Sequence, residues 1–461
     1  MKINLKSVRI RFFSTIVILL LAAVLYVLFT RFEGTEPEVN IEGMTHFIRK
    51  SQPLSLSVSD GNSGLRSISV LLEKEGKEIP LLDREFPSFF TLGKGRVRDE
   101  NTDLTIEPVK LGLEDGKALL RISAEDYSWR NWWNGNKKEI VRDIVIDTRP
   151  PRIAVLNRQH NIVQGGSGLV IYRLSEPCTR SGVRVGDNFF PGYSAENLPE
   201  IQDSSIFLCF IALNYQQGRG TPLQIEAEDP AGNSVSAGFY HYIRSRKFKD
   251  DIINISDGFL NEKMPEFEGL IRKTDASPLE KFLEVNRDIR KRNTSRFKNM
   301  GTQTANTLMW QGPFLRLPNS ARRASFADHR EYRYKGETID RQVHMGVDLA
   351  SLAYAPVPAA NGGKVILAEY IGIYGETVVI DHGFGLFSAY SHLSSMDVQV
   401  GQRLSKGDII GKTGTTGMAG GDHLHLGMIV HNTFVNPVEW WDPAWIKNNV
   451  TSKIKEIKGK G

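Results

Sequence analysis

The chain has 461 residues, enough for about two to four domains of ordinary size. Its 58 Lys and Arg residues nearly balance its 53 Asp and Glu residues, and the formal net charge is only +5. This composition gives no signature of polyanion binding, so no nucleic-acid partner is expected.

The first predicted element is an uncharged apolar run from Phe12 to Thr30. About 20 apolar residues are needed to cross a bilayer as a helix, so residues 12–30 are predicted to be a transmembrane anchor. The basic residues Lys2, Lys6, Arg9 and Arg11 precede this run, and the acidic residues Glu33, Glu36 and Glu38 follow it. The positive-inside rule therefore places residues 1–11 in the cytoplasm and the rest of the chain outside. A cleaved signal peptide is the alternative, although the run is longer than a usual signal and no A-x-A site follows.

From residue 40 to 150 the sequence shows short alternating segments separated by turn residues, a pattern that favours a β-sandwich. Predicted strands lie at 54–58, 68–72, 118–123 and 140–146. The motif Ala-Glu-Asp ending at Asp126 recurs at Asp229, and one sandwich takes about 100 residues. Both segments loosely resemble bacterial immunoglobulin-like (Ig-like) domains. We therefore predict two Ig-like β-sandwich modules, at 40–150 and 151–250, with a hinge at the consecutive prolines between them.

The only two cysteines, Cys178 and Cys209, fall within the second predicted module. In an exported chain such a pair predicts a disulfide, and two buried thiols are the alternative.

Three tryptophans, Trp129, Trp132 and Trp133, cluster between the last two predicted strands of the first module. A sugar-stacking platform is one interpretation. A packed edge of the sandwich is the favoured one, because aromatic side chains are commonly core or interface material.

The periodicity changes to a helical one after residue 250, which predicts a helical connector at 251–312. Ser277 fits an N-cap with Pro278 at the first helical position, and an apolar stripe follows. The rest of this segment is markedly basic, with Arg287, Arg290, Lys291, Arg292, Arg296 and Lys298. These charges could meet an anionic envelope polymer or simply form a solvated helix face.

The chain then returns to strands, predicted at 365–369, 377–381 and 386–393, each bounded by glycine. Residues 313–445 are predicted to be a compact antiparallel β-domain, and residues 446–461 a basic tail. The predicted fold is thus mainly β, with a transmembrane helix, two sandwich modules, a helical connector and a C-terminal β-domain.

The chemistry of the chain concentrates in two short motifs of this last domain. Strand alternation places His423 and His425 on one face, on the order of 7 Å apart at the backbone. His344 and Asp348 span about 13 Å if extended, so they reach one ion only if the chain bends, which Gly346 would permit. Histidine and aspartate are ligands that zinc takes, and three protein ligands leave a position open for water, as in catalytic sites.

An ordered set of motifs resembles the lysostaphin-like zinc endopeptidases of bacterial cell walls, over about residues 313–443. The set is His344-x-x-x-Asp348, Tyr390-Ser-His392, the glycine turns at 400–411, His423-x-His425 and Asn436-Pro437. The resemblance implies that His344, Asp348 and His425 hold one Zn²⁺ per chain. It also implies that His392 and His423 are free histidines, one of them acting as general base, and that Tyr390 assists on the same strand face as His392.

The resemblance implies a membrane-anchored peptidase that hydrolyses cross-links or stem peptides of peptidoglycan. We expect it at the bacterial inner membrane, with the catalytic domain outside the cytoplasm and an envelope protein as an additional partner. The alternative is a catalytically silent envelope protein that uses this fold to bind a partner. Such proteins usually lose metal-site residues, and none is lost here. A lipoyl-like carrier, suggested by the glycine turns, ranks last because it needs no metal site and is not exported.

Overall fold

A computed structural model describes residues 5–88, 95–272 and 275–458. Lys2 and the last residues of the predicted tail, 459–461, lie outside these ranges. The chain forms two compact units, one of residues 1–150 with 230–233, the other of residues 151–229 with 234–461.

The N-terminal helix α1 spans Leu5–Arg31. Its window Arg9–Phe29 is long and apolar enough to cross a membrane, a property that membrane anchors and signal sequences share. The last residue of α1 accepts hydrogen bonds from residues 128 and 129 of the same unit. The backbone oxygen of Arg31 accepts from the backbone N–H of Trp129 at 2.6 Å and from Ser128 Oγ at 3.1 Å.

The first unit otherwise consists of two sheets, ordered β1-β3-β6 and β2-β8-β7-β4-β5. The strands are β1 Glu38–Glu42, β2 Phe47–Ile48, β3 Gln52–Ser59, β4 Leu65–Lys74, β5 Lys77–Glu85, β6 Asp99–Ile106, β7 Gly116–Asp126 and β8 Lys137–Ile146, with the short turn α2 at Arg130–Trp133 between the last two. The four predicted strands lie within β3, β4, β7 and β8. Alternate residues of β3 are buried, as a sheet with one face in the core requires. The Ig-like character of the module stays a prediction.

The tryptophan loop differs from the favoured interpretation. Asn131, Trp132 and Trp133 have positive φ, and this turn directs the last two side chains outward, where they are 88% and 64% exposed. Only Trp129 packs, edge to face against Phe32 at 5.8 Å. The buried carboxylate of Asp126 holds the loop by accepting from the backbone N–H groups of Ser128 and Asn136.

The second unit begins with two four-stranded sheets, β14-β15-β11-β9 and β13-β12-β16-β17, and the parallel pair β10-β18. These strands are β9 Ile153–Val155, β10 Asn161–Val163, β11 Ser167–Leu174, β12 Arg180–Val185, β13 Asn188–Pro191, β14 Tyr193–Ser194, β15 Ile206–Ala212, β16 Leu223–Glu228, β17 Ser234–Gly238 and β18 Tyr242–Arg244. The repeated residue Asp229 is buried just after β16.

The disulfide prediction is wrong, because both thiols are free. Cys209 lies in β15, whereas Cys178 lies in the loop between β11 and β12. The buried thiol of Cys209 donates to the Phe190 carbonyl at 3.1 Å.

The predicted helical connector begins with a strand, β19 Asp250–Ile255, which pairs in parallel with β21. Helices α3 Asp257–Lys263, α4 Pro278–Glu284 and α5 Arg290–Asn299 follow, and a π-turn at Val285–Ile289 joins the last two. Ser277 caps α4 in a capping box with Glu280, as its position indicated.

The rest of the unit is a three-stranded sheet, β19-β21-β22, and a ten-stranded sheet whose central order is β20-β23-β30-β27-β26-β25-β28. The strands are β20 Ala321–Ala324, β21 His329–Tyr334, β22 Glu337–Val343, β23 Val347–Ala350, β24 Pro356–Pro358, β25 Gly363–Tyr370, β26 Glu376–Gly383, β27 Leu386–Met396, β28 Arg403–Leu404, β29 Ile409–Thr413, β30 Leu424–Val430 and β31 Thr433–Val435, followed by α6 Pro437–Trp441, α7 Pro443–Ile446 and α8 Ser452–Lys458.

One apolar cluster runs through this whole second unit, from Leu169 in β11 through Phe282 in α4 to Leu426 in β30. The predicted boundaries at 250 and 312 are therefore not divisions between compact units. The predicted basic tail also joins this core, because Val450 and Ile457 are buried and Lys453 donates to the Leu169 carbonyl.

Candidate metal centre

Two neighbouring antiparallel strands position two of the predicted ligands. β23 and β30 pair with Asp348 directly opposite His425. Opposed side chains on one face of a sheet lie about 5 Å apart, which brings a carboxylate within reach of an imidazole. His425 Nδ1 lies 2.9 Å from Asp348 Oδ1.

His344 reaches the same point from the segment between β22 and β23. Its Nε2 atom lies 2.9 Å from Asp348 Oδ1 and 3.0 Å from His425 Nδ1. Its other nitrogen, Nδ1, lies 2.9 Å from the Ser325 carbonyl oxygen, which can only accept. Nδ1 therefore carries the proton, and the lone pair of Nε2 faces Asp348 and His425.

The bend between His344 and Asp348 occurs as expected, but Gly346 has a different role from the predicted one. Its φ is not in the left-handed region that favours glycine. A Cβ atom at this position would lie 2.6 Å from His425 Nε2 and 2.7 Å from the Leu426 carbonyl oxygen. Glycine is required here because the ligand ring occupies the space of a side chain.

His392 and His423 lie beside these three residues, with ring centroids 4.8 Å apart. His392 Nδ1 lies 2.8 Å from the Thr416 carbonyl oxygen, and His423 Nδ1 lies 2.7 Å from that of Gly421. Both Nδ1 atoms are thus donors, which leaves each Nε2 as an acceptor. His392 also has φ of 63°, an unusual backbone conformation of the kind that clusters at functional sites.

The electrostatics of the site favour the protonation states that metal ligands need. Burial alone raises the pKa of Asp348, but the charge and hydrogen bonds of the surrounding histidines hold that pKa well below its usual range. Burial lowers the pKa of His425 to about 4, and it lowers the pKa of His392 well below its ordinary value. Asp348 is therefore ionised at neutral pH, and the imidazoles of His392 and His425 are neutral. Burial disfavours the charged form of His423, but the hydrogen bond and charge of Asp348 outweigh it and raise the pKa of His423 above its ordinary value.

Tyr390 does not reach the histidines. Its hydroxyl is buried, accepting from the Ala360 backbone N–H at 2.7 Å and from Ser388 Oγ at 2.9 Å. The expected shared face fails because the β26–β27 pairing shifts register next to Tyr390 and because the backbone turns at His392. The structure gives this residue a packing role.

Arg330 and Tyr374 contribute to the site without having been predicted. Arg330 in β21 donates to Asp348 Oδ2 at 2.8 Å, and the ring of Tyr374 lies 5.5 Å from that of His425. The only sequence signal for Arg330 was its place in an alternating segment, which does not specify a partner.

A cavity of about 340 Å³, which we call the histidine cavity, opens over these side chains. All five predicted histidine and aspartate residues line it. Its opposite wall comes from β19, Phe259 and Phe282, which lie in the segment predicted to be a connector. This segment therefore forms part of the site.

The residues present fit a zinc ion. The His344, Asp348 and His425 ligand atoms lie within 3.0 Å of one another, so all three can lie about 2.0–2.2 Å from one ion. All three residues are buried. Asp348 accepts a further hydrogen bond from Arg330, and His344 donates one to the Ser325 carbonyl oxygen. Two nitrogens and one carboxylate oxygen are the donor set of a catalytic zinc site.

Comparisons with known proteins give matches over the C-terminal part of the chain. Residues 342–437 match Peptidase family M23. The peptidoglycan DD-endopeptidase ShyA of Vibrio cholerae is 38% identical over 96 residues, which cover 21% of this chain and 22% of that protein. The DD-carboxypeptidase/endopeptidase Mpg of Neisseria meningitidis is 35% identical over 97 residues, with 21% and 22% covered. The catalytic domain of lysostaphin from Staphylococcus simulans is 27% identical, with 26% of this chain and 92% of that domain covered and a TM-score of 0.23.

These matches confirm the family resemblance that the sequence motifs indicated. The chain spans between 22% and 33% of the length of the curated relatives it matches.

Proposed function

We propose that this chain, which carries a Peptidase family M23 domain at residues 342–437, is a membrane-anchored zinc endopeptidase that hydrolyses peptide bonds of peptidoglycan. The observation that carries the proposal is the buried triangle of His344, Asp348 and His425, with His392 and His423 beside it. The similar proteins named as peptidoglycan endopeptidases support the substrate class.

His344, Asp348 and His425 would hold the metal. When bound, zinc polarises a scissile carbonyl and lowers the pKa of water, so that water attacks at neutral pH. The carbonyl of Ser325 fixes the ring orientation of His344, and Arg330 fixes the carboxylate of Asp348. Such support orients ligands and tunes their basicity.

His392 and His423 would handle protons and substrate charge. The Nδ1–H of each is committed to a backbone carbonyl, which leaves Nε2 as the nitrogen available for proton transfer in the histidine cavity. One Nε2 can accept a proton from the attacking water, and a protonated imidazole can give one to the leaving amine. Residues of β19 and Phe259 line the same cavity as these two histidines.

We place the chain in the bacterial inner membrane, crossing it once through α1, with the residues that follow α1 outside the cytoplasm. The basic flank before the apolar run and the acidic flank after it support this orientation. The alternative of a catalytically silent envelope protein receives less support. The three metal-binding residues are all present and buried, and Asp348 and His344 each have a supporting hydrogen-bond partner.

The test is digestion of purified peptidoglycan with the full chain in detergent, loaded with zinc, and analysis of the products by mass spectrometry. We expect new amino and carboxyl termini at peptide bonds and none with His425→Ala. If the wild-type chain binds zinc stoichiometrically but releases no peptide, the alternative of a catalytically silent envelope protein replaces this proposal.

A further inference from the structure

We propose that a basic cavity beside the metal centre binds the free carboxylates of an acidic peptide substrate. This cavity, about 810 Å³, lies between α5, β19 and the β21–β22 hairpin, and we call it the basic cavity. It adjoins the histidine cavity, since Arg290, Arg330, Met345 and Tyr374 line both. The inference rests on the proposed peptidase function and deepens it, because it names the chemistry that selects the substrate.

The charge of the basic cavity comes mainly from one face of α5. Arg290, Lys291, Thr294, Ser295 and Lys298 line it, a spacing that places them along one side of a helix. All of these residues lie outside the segment that matches the peptidase family, 342–437.

Three of these α5 side chains are cations without a carboxylate partner in the part of the chain that the structure describes. Arg290 is held by neutral acceptors only, donating to the Asn286 carbonyl oxygen at 3.1 Å and to Asn286 Oδ1 at 2.5 Å. Lys291 and Lys298 are exposed and form no ion pair within the described ranges. The positive charge of this face is therefore available to a ligand.

The remaining cations of the basic cavity are paired, and two carboxylates of its lining oppose part of the charge of the free α5 cations. Arg287 pairs with Asp340, Arg341 with Glu331 and Arg330 with Asp348, while Asp250 and Asp251 lie along β19.

These features select a carboxylate-bearing peptide. A guanidinium and two ammonium groups recognise carboxylates by charge-assisted hydrogen bonds, and the volume suffices for several peptide residues. A peptide whose scissile bond lies over His392 and His423 would extend past Tyr374 into the basic cavity.

The experiment uses the zinc-loaded full chain in detergent and two synthetic cross-linked peptides that differ only in having free carboxylates or carboxamides. We expect the wild-type chain to show a KM about tenfold lower for the free-carboxylate peptide, as for one charge-assisted hydrogen bond. In Arg290→Gln and Lys298→Gln this KM ratio should fall toward one. Arg292→Gln is the matched control, because Arg292 is also in α5 but does not line the cavity; it should retain the wild-type ratio.

Equilibrium binding of both peptides, measured by fluorescence anisotropy, separates this inference from the proposed function. If neither peptide is cut, the peptidase proposal fails, but tighter binding of the free-carboxylate peptide that Lys298→Gln abolishes still supports the basic cavity. Equal affinity for the two peptides in the wild-type chain, or an equal loss of preference in Arg292→Gln, overturns the inference.

Discussion

Arg330 Nη2 donates to Asp348 Oδ2 at 2.8 Å, on the side of the carboxylate opposite to the histidines. The other oxygen, Oδ1, is thereby left for His344 Nε2 and His425 Nδ1, each 2.9 Å away. The guanidinium thus orients the carboxylate so that one oxygen faces the proposed metal position, a frequent arrangement behind metal ligands.

Arg330→Met should weaken zinc binding by about 10- to 100-fold, the usual effect of removing such a supporting partner. A chelator competition titration measures the affinity, and Arg330→Lys should recover part of it. Arg333→Met is the control, because Arg333 is in the same strand but pairs with Glu331. An unchanged zinc affinity in Arg330→Met would show that Asp348 needs no support.

The two histidines of the H-x-H motif should respond differently to substitution. His425→Ala leaves two of the three proposed ligands, so zinc content and hydrolysis should both be lost. His423→Ala should keep most of the zinc while turnover falls about 10²- to 10⁴-fold, the range for losing an acid–base group. Asp348→Ala should behave like His425→Ala, and His392→Ala like His423→Ala.

Elemental analysis of the zinc content and measurement of the turnover of the four variants test this prediction. If all four retain zinc and activity, the metal binds elsewhere and the proposed mechanism is wrong.

Gly346→Ala should disturb the metal site although it adds a single methyl group. The new Cβ atom would lie 2.6 Å from His425 Nε2, and the ligand ring has no space to retreat because it is buried. We expect loss of zinc in the purified protein with the fold retained by circular dichroism. Gly421→Ala is the matched control, because no atom lies within 4 Å of a Cβ at that position. Equal zinc contents in the two variants would contradict this explanation.

The shared face of His423 and His425 could be predicted from the sequence because strand alternation is local, whereas the ligand set His344, Asp348 and His425 came from the family resemblance. His423 and His425 do line one cavity, as the period of two requires. The same reasoning failed for Tyr390 and His392, because a register shift and a positive φ interrupt the alternation there. Such irregularities depend on pairing with another strand, which no local pattern reveals.

The wall of the site was harder to predict than its ligands. Residues 251–255 alternate in exposure as a strand does, although the helical connector predicted at 251–312 includes them. The contact of Arg330 with Asp348 joins strands of two different sheets. Its existence follows from how the sheets pack and not from either sequence segment.

Glu439 should make the second unit less stable as the pH rises. Burial raises the pKa of this carboxyl to about 7 from an ordinary value of 4.5, although it accepts hydrogen bonds from the Ser167 backbone N–H and hydroxyl. The folded state therefore holds the proton more tightly than the unfolded state. Stability is full below about pH 4.5, falls between pH 4.5 and 7, and is then constant, with a total loss of about 3 kcal/mol.

Thermal unfolding of the wild-type chain and Glu439→Gln between pH 5 and 8 tests this prediction. The difference in stability between the two should move in favour of the variant as the pH rises, while other buried titrating groups cancel in the comparison. Glu337→Gln, an exposed substitution at the start of β22, is the control for removing one carboxylate elsewhere in the unit. Parallel curves for the wild-type chain and Glu439→Gln would contradict the prediction.

The helix α1 should remain on the mature protein, because the residues just after its apolar run belong to the fold of the first unit. The backbone oxygens of Arg31 and Glu33 both accept from Ser128 Oγ, at 3.1 and 2.9 Å, and Arg31 also accepts from Trp129. Removal of α1 through Arg31 by a signal peptidase would leave the Trp129 backbone N–H without this acceptor, at about 1–3 kcal/mol. Intact-mass analysis of the chain isolated from membranes should therefore give the full-length mass, and a reporter at Gly461 that is active only in the cytoplasm should be silent. A shortened chain in the soluble fraction would show that α1 is a signal peptide. Cytoplasmic reporter activity would contradict the proposed orientation, because the catalytic domain could then not contact the cell wall.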